Sequence, residues 1–399
     1  MADEQPPAVA VINPKRTDHS YPFIDLAGVG VAFKLVQALQ TELEGLEAGQ
    51  EKWLLDLVAL GTVCDVVTLV DENRANVFWG LKVLSKTRRP GLKALMAVAR
   101  VEPHKVNSRS LGFALGPRMN AAGRLETAQI ALDMLTATDP TIAFEKAQEL
   151  DALNSARRAE QDQIYKEAVQ QAELYKHDDV LVVSSPDWNH GIVGIVAAKL
   201  LEKFKKPTFV LQEIGEESKG SARSYGDFSA AEAIKSASDI VTKGGGHKLA
   251  AGVTLPTKNI QAFRERVNKH YLDQKLENQA DLLLPKADVV AELIHVTEDL
   301  VSMLETLEPF GNGNTQPVLR SEALEVLHVR KMGADSQHVK LESQAYDGTV
   351  LHLLAFNAPK EFFVEPGTKI SAWYQPDINE WMGRRNVEGR LLHLTIESS

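Results

Sequence analysis

The sequence has 399 residues, and at roughly 150 residues per domain it predicts two or three domains. Its 44% hydrophobic and 25% charged content excludes a disordered, collagen-like or fibrous chain, and its one cysteine, Cys64, excludes an intrachain disulfide and a cysteine-built zinc site. A net charge of -10 argues against coating nucleic acid through bulk positive charge, while leaving a local basic cleft open.

The start, Met-Ala-Asp-Glu-Gln-Pro-Pro, has no basic or apolar signal region, and the longest apolar stretch, Leu54 to Val70, carries Asp56 and Asp65. A soluble cytoplasmic protein without membrane contact is expected. Leu26 to Gln40 has apolar residues at helical spacing. Leu54 to Val70 splits into a helical half ending at Gly61 and a β-branched run, Thr62, Val63, Val66 and Val67, expected as a strand. Asn73 to Leu84 and Gly91 to Arg100 predict further helices. Asp139 to Tyr175, rich in Ala, Glu, Gln, Arg and Lys, predicts one long exposed helix or two joined near Asn154. Strands at Asp179–Ser184, Pro207–Gln212 and Gly220–Ser224 then alternate with helices at Gly191–Phe204 and Phe228–Ile240. Finally, short strands at Ala323–Arg330, His338–Ser343, Thr349–Ala355, Lys369–Gln375 and Leu391–Ile396 fit a small barrel of the OB kind. The predicted fold is α/β: two α/β lobes joined by a long helix, followed by a C-terminal OB-like β-barrel. Its domains are residues 1–138, 139–175 (the connecting helix), 176–275 and 276–399.

Several clusters point to chemistry. Asp65 lies in an apolar run, where a carboxylate needs a metal, a positive group or hydrogen bonds; a metal ligand at a strand end is one solution and a helix cap another. Asp56, at helical spacing from Lys52, reads as a surface or capping acid. Arg118, Asn120 and Arg124 sit among small residues that permit close approach, and arginine forks match phosphate oxygens; the plainer reading is a capping loop with solvated arginines. Ser221 and Arg223, taken with Gly244, Gly245, Gly246 and His247, suggest an anion site if the glycine run opens a helix, against a flexible turn. In Trp188-Asn189-His190-Gly191, Asn189 reads as a helix cap and His190 as the helix start or a ligand-facing imidazole. Phe356, Trp373, Tyr374 and Trp381 in the barrel either stack on bases or fill its core, and alternation lets only one of Trp373 and Tyr374 face outward.

Together these motifs resemble the RecJ family of the DHH phosphoesterase superfamily. The resemblance is carried in order by Asn13-Pro14-Lys15-Arg16 with Tyr21-Pro22-Phe23, Leu26 to Ala32, Leu60 to Val67, Gly116 to Arg124, His190 to Ala197, the glycine run ending at His247, and Glu308 to Asn314. It implies processive 5′→3′ hydrolysis of single-stranded DNA to 5′-mononucleotides in recombination and repair. It also implies a divalent metal, manganese or magnesium, held by aspartates and histidines of the first lobe, where two ions would activate water. Asp65 matches the last metal aspartate of the family. Arg118, Asn120 and Arg124 match its segment near the scissile phosphate. Ser221, Arg223, Gly244, Gly245, Gly246, His247 and His190 match substrate-binding positions. The implied partners are single-stranded DNA, a single-strand-binding protein and a helicase, with the chain itself a monomer.

The family's earlier motifs, an aspartate-rich strand end and Asp-His-His, are expected before Asn13 and are absent; Asp18-His19 follows that segment and is not the motif. One carboxylate cannot hold two metals. The chain alone is therefore expected to have little or no nuclease activity, and the first lobe to lack leading strands, leaving a sheet edge open. A non-catalytic single-stranded nucleic-acid-binding module is one alternative. A DHH-type phosphodiesterase for oligoribonucleotides or cyclic dinucleotides is another, against which the barrel argues.

Overall fold

A computed structural model describes residues 7–18, 20–45, 47–276, 280–381 and 383–397. The chain divides into two compact units, residues 1–116 with 285–399, and residues 117–284. The boundary at 116 falls inside the first expected range, 1–138.

The first unit opens with α1 (Gly28–Glu42), α2 (Leu55–Cys64), α3 (Asp71–Leu84) and α4 (Pro90–Val98). Asp71 and Glu72 place negative charge at the start of α3, and Pro90 takes the first helical position of α4, where no N–H is needed. Val58, Leu60, Val77, Leu84, Leu92 and Leu95 form the buried side of these helices. Gly80 lets α3 reach α2, since a Cβ there would stand 2.3 Å from the Leu55 carbonyl oxygen. The β-branched run expected as a strand is not one. Helix α2 continues to Cys64, buries Thr62, and the chain then turns through Val66 at φ 61. Packing against α1 and α3 outweighs β propensity here. No strand occurs among the described residues before Leu181, so none of them presents the sheet edge expected of the first lobe. A single helical turn, α5 (Ser108–Ser110), and a π-helical segment, Leu111–Leu115, complete this part.

In residues 117–284, α6 (Gly116–Leu125), α7 (Gln129–Thr136) and α8 (Pro140–Leu174) precede the sheet. Asp139 starts α8 by accepting from the Thr141 N–H at 2.6 Å, with Pro140 following. Helix α8 is one uninterrupted rod of 35 residues. It is not wholly exposed, because a stripe from Ala143 through Ala147 and Leu150 to Ile164, Ala168 and Ala172 is buried at spacings of three and four. Strands β1 (Leu181–Ser185), β2 (Thr208–Ile214), β3 (Glu217–Arg223), β4 (Lys243–Gly246) and β5 (Ala250–Pro256) form a sheet in the order β1-β2-β3-β5-β4. The parallel β1–β2 pair is joined by α9 (His190–Phe204). Val183 and Val210 pack with Ile192 and Val196 on one face. Phe209 and Leu211 pack with Ile234 of α10 (Ala230–Ser236) and Phe263 of α11 (Ile260–Asp273) on the other. Helices thus cover both faces, as a sheet with two apolar sides requires.

The chain then returns to the first unit through β6 (Val289–Val290) and α12 (Glu298–Glu305). The Glu308–Asn314 segment is anchored on the helical lobe. Asn312 donates from Nδ2 to the Val66 carbonyl at 3.0 Å, and Ser108 Oγ donates to the Phe310 carbonyl at 2.6 Å. Strands β7 (Leu319–Met332), β8 (His338–Gln344), β9 (Val350–Ala355), β10 (Lys369–Trp381) and β11 (Arg384–Ile396) follow in the order β7-β8-β9-β11-β10, and β10 pairs back onto β7. This closes a five-stranded barrel whose interior holds Val326, Leu341, Leu353, Ile370 and Tyr374. The α/β sheet, the long helix and the terminal barrel are those expected.

Candidate nucleic-acid interface

Within residues 117–284, Ser221 and Arg223 project from β3 against the start of α9. Gly194 permits this contact: a Cβ there would lie 3.2 Å from Ser221 Oγ and 3.3 Å from Arg223 Nη2. Asn189 caps α9 by accepting from the Gly191 N–H at 2.9 Å. Gln212 Oε1, on β2, accepts from the His190 N–H at 3.0 Å and lies 3.1 Å from Nδ1 of the same residue. His190 therefore starts the helix, as the plainer reading has it, with its ring steered from β2.

The segment Gly116–Leu125, expected as a loop, is helix α6, and its last turn meets α9. Arg124 donates from Nη1 to the Gly191 carbonyl at 2.8 Å, and a Cβ on Gly191 would fall 2.5 Å from the Arg124 carbonyl oxygen. Asn120 and Arg124, four apart, share an exposed face. Arg118 instead donates from Nε to Asp151 of α8 at 2.8 Å. Arg223 is half-buried and donates from Nη1 to its neighbour Ala222's carbonyl at 2.8 Å. Burial, and then the charge of Arg124, lower the Arg223 pKa from its ordinary value. Among the described residues, neither Arg124 nor Arg223 has a carboxylate partner. Both guanidinium groups are thus held by neutral carbonyls.

The glycine run does not open a helix. Lys243–Gly246 is β4, the exposed edge strand of the sheet, and His247 donates its N–H to the Ala250 carbonyl at 2.8 Å as the chain turns back. Gly246, at φ 147, is required because a Cβ would meet the Ala250 oxygen at 2.5 Å. What Gly244, Gly245 and Gly246 offer is an exposed strand, not helix-end N–H groups. Exposed His247 stands at its end.

Asp65, in the other unit, is exposed at the C-terminal end of α2 rather than buried at a strand end. The buried acid of that run is Asp56, expected at the surface. It is 2% exposed, accepting from Thr87 Oγ1 at 2.7 Å and Arg89 Nε at 3.3 Å. Asp56, in the first turn of α2, faces into the helical lobe, where Thr87 and Arg89 meet it. Burial, then the Asp65 charge, push the Cys64 thiol up to about 11. Among the described residues, no group of three or more His, Cys, Asp or Glu is placed to hold a metal.

On the barrel, Tyr374 is fully buried, its hydroxyl 2.9 Å from Ser321 Oγ, while Trp373 faces outward beneath the Arg320 guanidinium, 4.5 Å from the ring centroid. Phe356 is exposed and meets the His338 ring at 5.3 Å. The Trp381 side chain lies outside those described. Reading the sequence missed Asn154, Arg157 and Gln161, polar residues buried in the stripe of α8, and also Gln212. For the α8 residues the signal is the interruption of an otherwise apolar three-four repeat. No described helix is long and apolar enough to cross a membrane.

Comparisons with known proteins agree with this fold. The RecJ OB domain family matches residues 287–393 and the DHHA1 domain family residues 177–271. The single-stranded-DNA-specific exonuclease RecJ of Bacillus subtilis (strain 168) is 37% identical over 390 residues, which are 96% of this chain and 48% of that protein. The protein of the same name from Escherichia coli (strain K12) is 33% identical over 410 residues, covering 97% of this chain and 70% of that protein. The crystal structure of RecJ in complex with Mn2+ from Thermus thermophilus matches with TM-score 0.81 at 27% identity, over 95% of this chain and 55% of that one. The chain thus spans about half the length of the Bacillus relative.

Proposed function

The chain belongs to the RecJ family, and from that membership we propose that it takes part in metal-dependent 5′→3′ hydrolysis of single-stranded DNA to 5′-mononucleotides, with residues 117–284 holding the strand. The observation that carries the holding role is the pair Arg124 and Arg223, positioned by Gly191 and Gly194 and left without acidic partners among the described residues. Guanidinium forks held in this way suit phosphate oxygens. Asn120, Ser221, His190 and His247 complete the proposed contacts. Residues 176–275 serve in this reading as a substrate-binding domain and 276–399 as the linker and barrel, where Trp373 and Phe356 offer rings for base stacking. Work in recombination and repair, a cytoplasmic location, a monomeric state, and cooperation with a single-strand-binding protein and a helicase rest on family membership.

The related Thermus thermophilus structure is in complex with Mn2+. Here Asp65 is exposed, and no group of three ligands is assembled among the described residues. These residues do not fit a two-metal centre. The proposed role is therefore strand holding with weak or no cleavage by this chain alone. The same observation favours a second reading, a binding module without chemistry, and metal-dependent cleavage separates the two.

Fluorescence anisotropy of a labelled single-stranded oligonucleotide tests the holding role. Arg124→Ala and Arg223→Ala are each expected to weaken binding about 10-fold and to reduce the slope of log K against log salt by about 0.7, one phosphate contact on a single strand. Wild-type affinity and slope in both variants would overturn it.

A further inference from the structure

We infer that Arg157 is a third, buried cation of this phosphate site, an inference that rests on the strand-holding reading above. Asn154, Arg157 and Gln161 occupy successive positions of the buried stripe of α8, where every other member is Ala, Leu or Ile. Arg157 is 8% exposed. It donates from Nη2 to Asn154 Oδ1 at 3.1 Å and from Nη1 to Gln161 Oε1 at 2.9 Å. Both acceptors are neutral, so they orient the guanidinium without cancelling its charge. Its Nε is buried and has no hydrogen-bond partner.

Arginine stays protonated in proteins, so it cannot escape burial by losing its charge. A buried ion without a counter-ion carries a large desolvation cost. Arg157 has no carboxylate within salt-bridge distance among the described residues, and Asp162, whose charge favours its ionised form, is itself paired with Lys199 at 3.3 Å. The charges of Arg158 and Arg124 act the other way, and Arg124 also acts on Arg223. Leu125, the neighbour of Arg124, packs with Ile164 of α8 and Ile192 of α9 in one buried cluster, so the stripe that holds Arg157 lies against the helices that present Arg124. A phosphate group supplies the missing counter-charge, whether from a nucleic-acid strand or from inorganic phosphate. If Arg157 served only to pack α8, its removal would simply weaken the fold. As a cation kept for an anion, it burdens the free protein and is relieved by the ligand.

The test compares the full chain with Arg157→Met and Arg157→Lys, by thermal melting with and without inorganic phosphate and by oligonucleotide binding over a range of salt. Arg157→Met is expected to melt at or above the wild-type temperature without phosphate and to lose at least half of the phosphate-induced rise. It should bind the oligonucleotide about 10-fold more weakly, with the salt slope reduced by about 0.7. Arg157→Lys keeps the charge and is expected to keep the slope. Inorganic phosphate raising the melting temperature without competing with the oligonucleotide would place the anion elsewhere and overturn the inference. So would an Arg157→Met protein that melts lower or does not fold, or one that keeps the wild-type slope. If the wild type shows neither a phosphate-induced rise nor salt-dependent binding, the strand-holding reading itself fails. If the wild type shows both and Arg157→Met retains both, only this inference falls.

Discussion

Cys64 and Asp65 sit side by side where α2 ends, and their environments differ sharply. The thiol packs against Gly116, where a Cβ would stand 2.5 Å from Sγ, while the carboxylate is exposed. Burial and the adjacent charge raise the thiol from 9.0 to about 11. Alkylation needs the thiolate, so Cys64 at pH 8 is expected to react with iodoacetamide about 100-fold more slowly than a free thiol. A folded-state value above the unfolded one means that the contribution to stability is complete below about pH 9 and is lost as pH rises towards about 11. Reaction at the rate of a free thiol would contradict this environment. The sequence showed an acid inside an apolar run but not which of two acids the helix would bury. Asp56 is the buried one because Thr87 and Arg89 are there to receive it, while Asp65 caps the other end of α2 in the open.

Among the elements, the glycine strand β4 shows how far composition can be read. A run without side chains carries no periodicity, so the pattern that marks a strand or a helix is missing. Its neighbours decide instead. β5 pairs with every residue of β4, and Gly246 meets the Ala250 carbonyl as the chain turns. Gly246→Ala is expected to destabilise the protein by about 1–3 kcal/mol, because φ 147 and the 2.5 Å approach both oppose a Cβ. Gly245→Ala, with nothing within 4 Å, should stay within about 0.5 kcal/mol of wild type in denaturant unfolding. Equal effects would refute the hairpin geometry. The barrel strands were legible because burial alternates residue by residue in β8 and β9, and on β10 Trp373 faces out while Tyr374 is buried. The Thr62–Val67 run was not, because packing of α2 between two helices is absent from local sequence. The α8 stripe was partly legible. Its length followed from the lack of Gly and Pro, but the mutual hydrogen bonds of Asn154, Arg157 and Gln161 within it appear only once the helix is packed.

At the scale of the whole molecule, a chain of net charge -10 keeps Arg124 and Arg223, without acidic partners among the described residues, in one unit and an OB barrel in the other. Bulk charge thus says little about what the chain holds, and the local field says more. Family membership was legible from the order of motifs along nearly the whole chain. The arrangement of α6, α9 and β3 that brings those motifs together was not, since Gly191 and Gly194 act through contacts distant in sequence. The central claim is that this chain grips single-stranded DNA and does not by itself cleave it. The measurement that tests it most directly follows a 5′-labelled single-stranded oligonucleotide incubated with the purified chain and with Asp65→Ala, in manganese and in chelator. The account predicts a bound but uncut strand in every case. Manganese-dependent release of mononucleotides, abolished in Asp65→Ala, would contradict it and show that a working metal centre forms around Asp65.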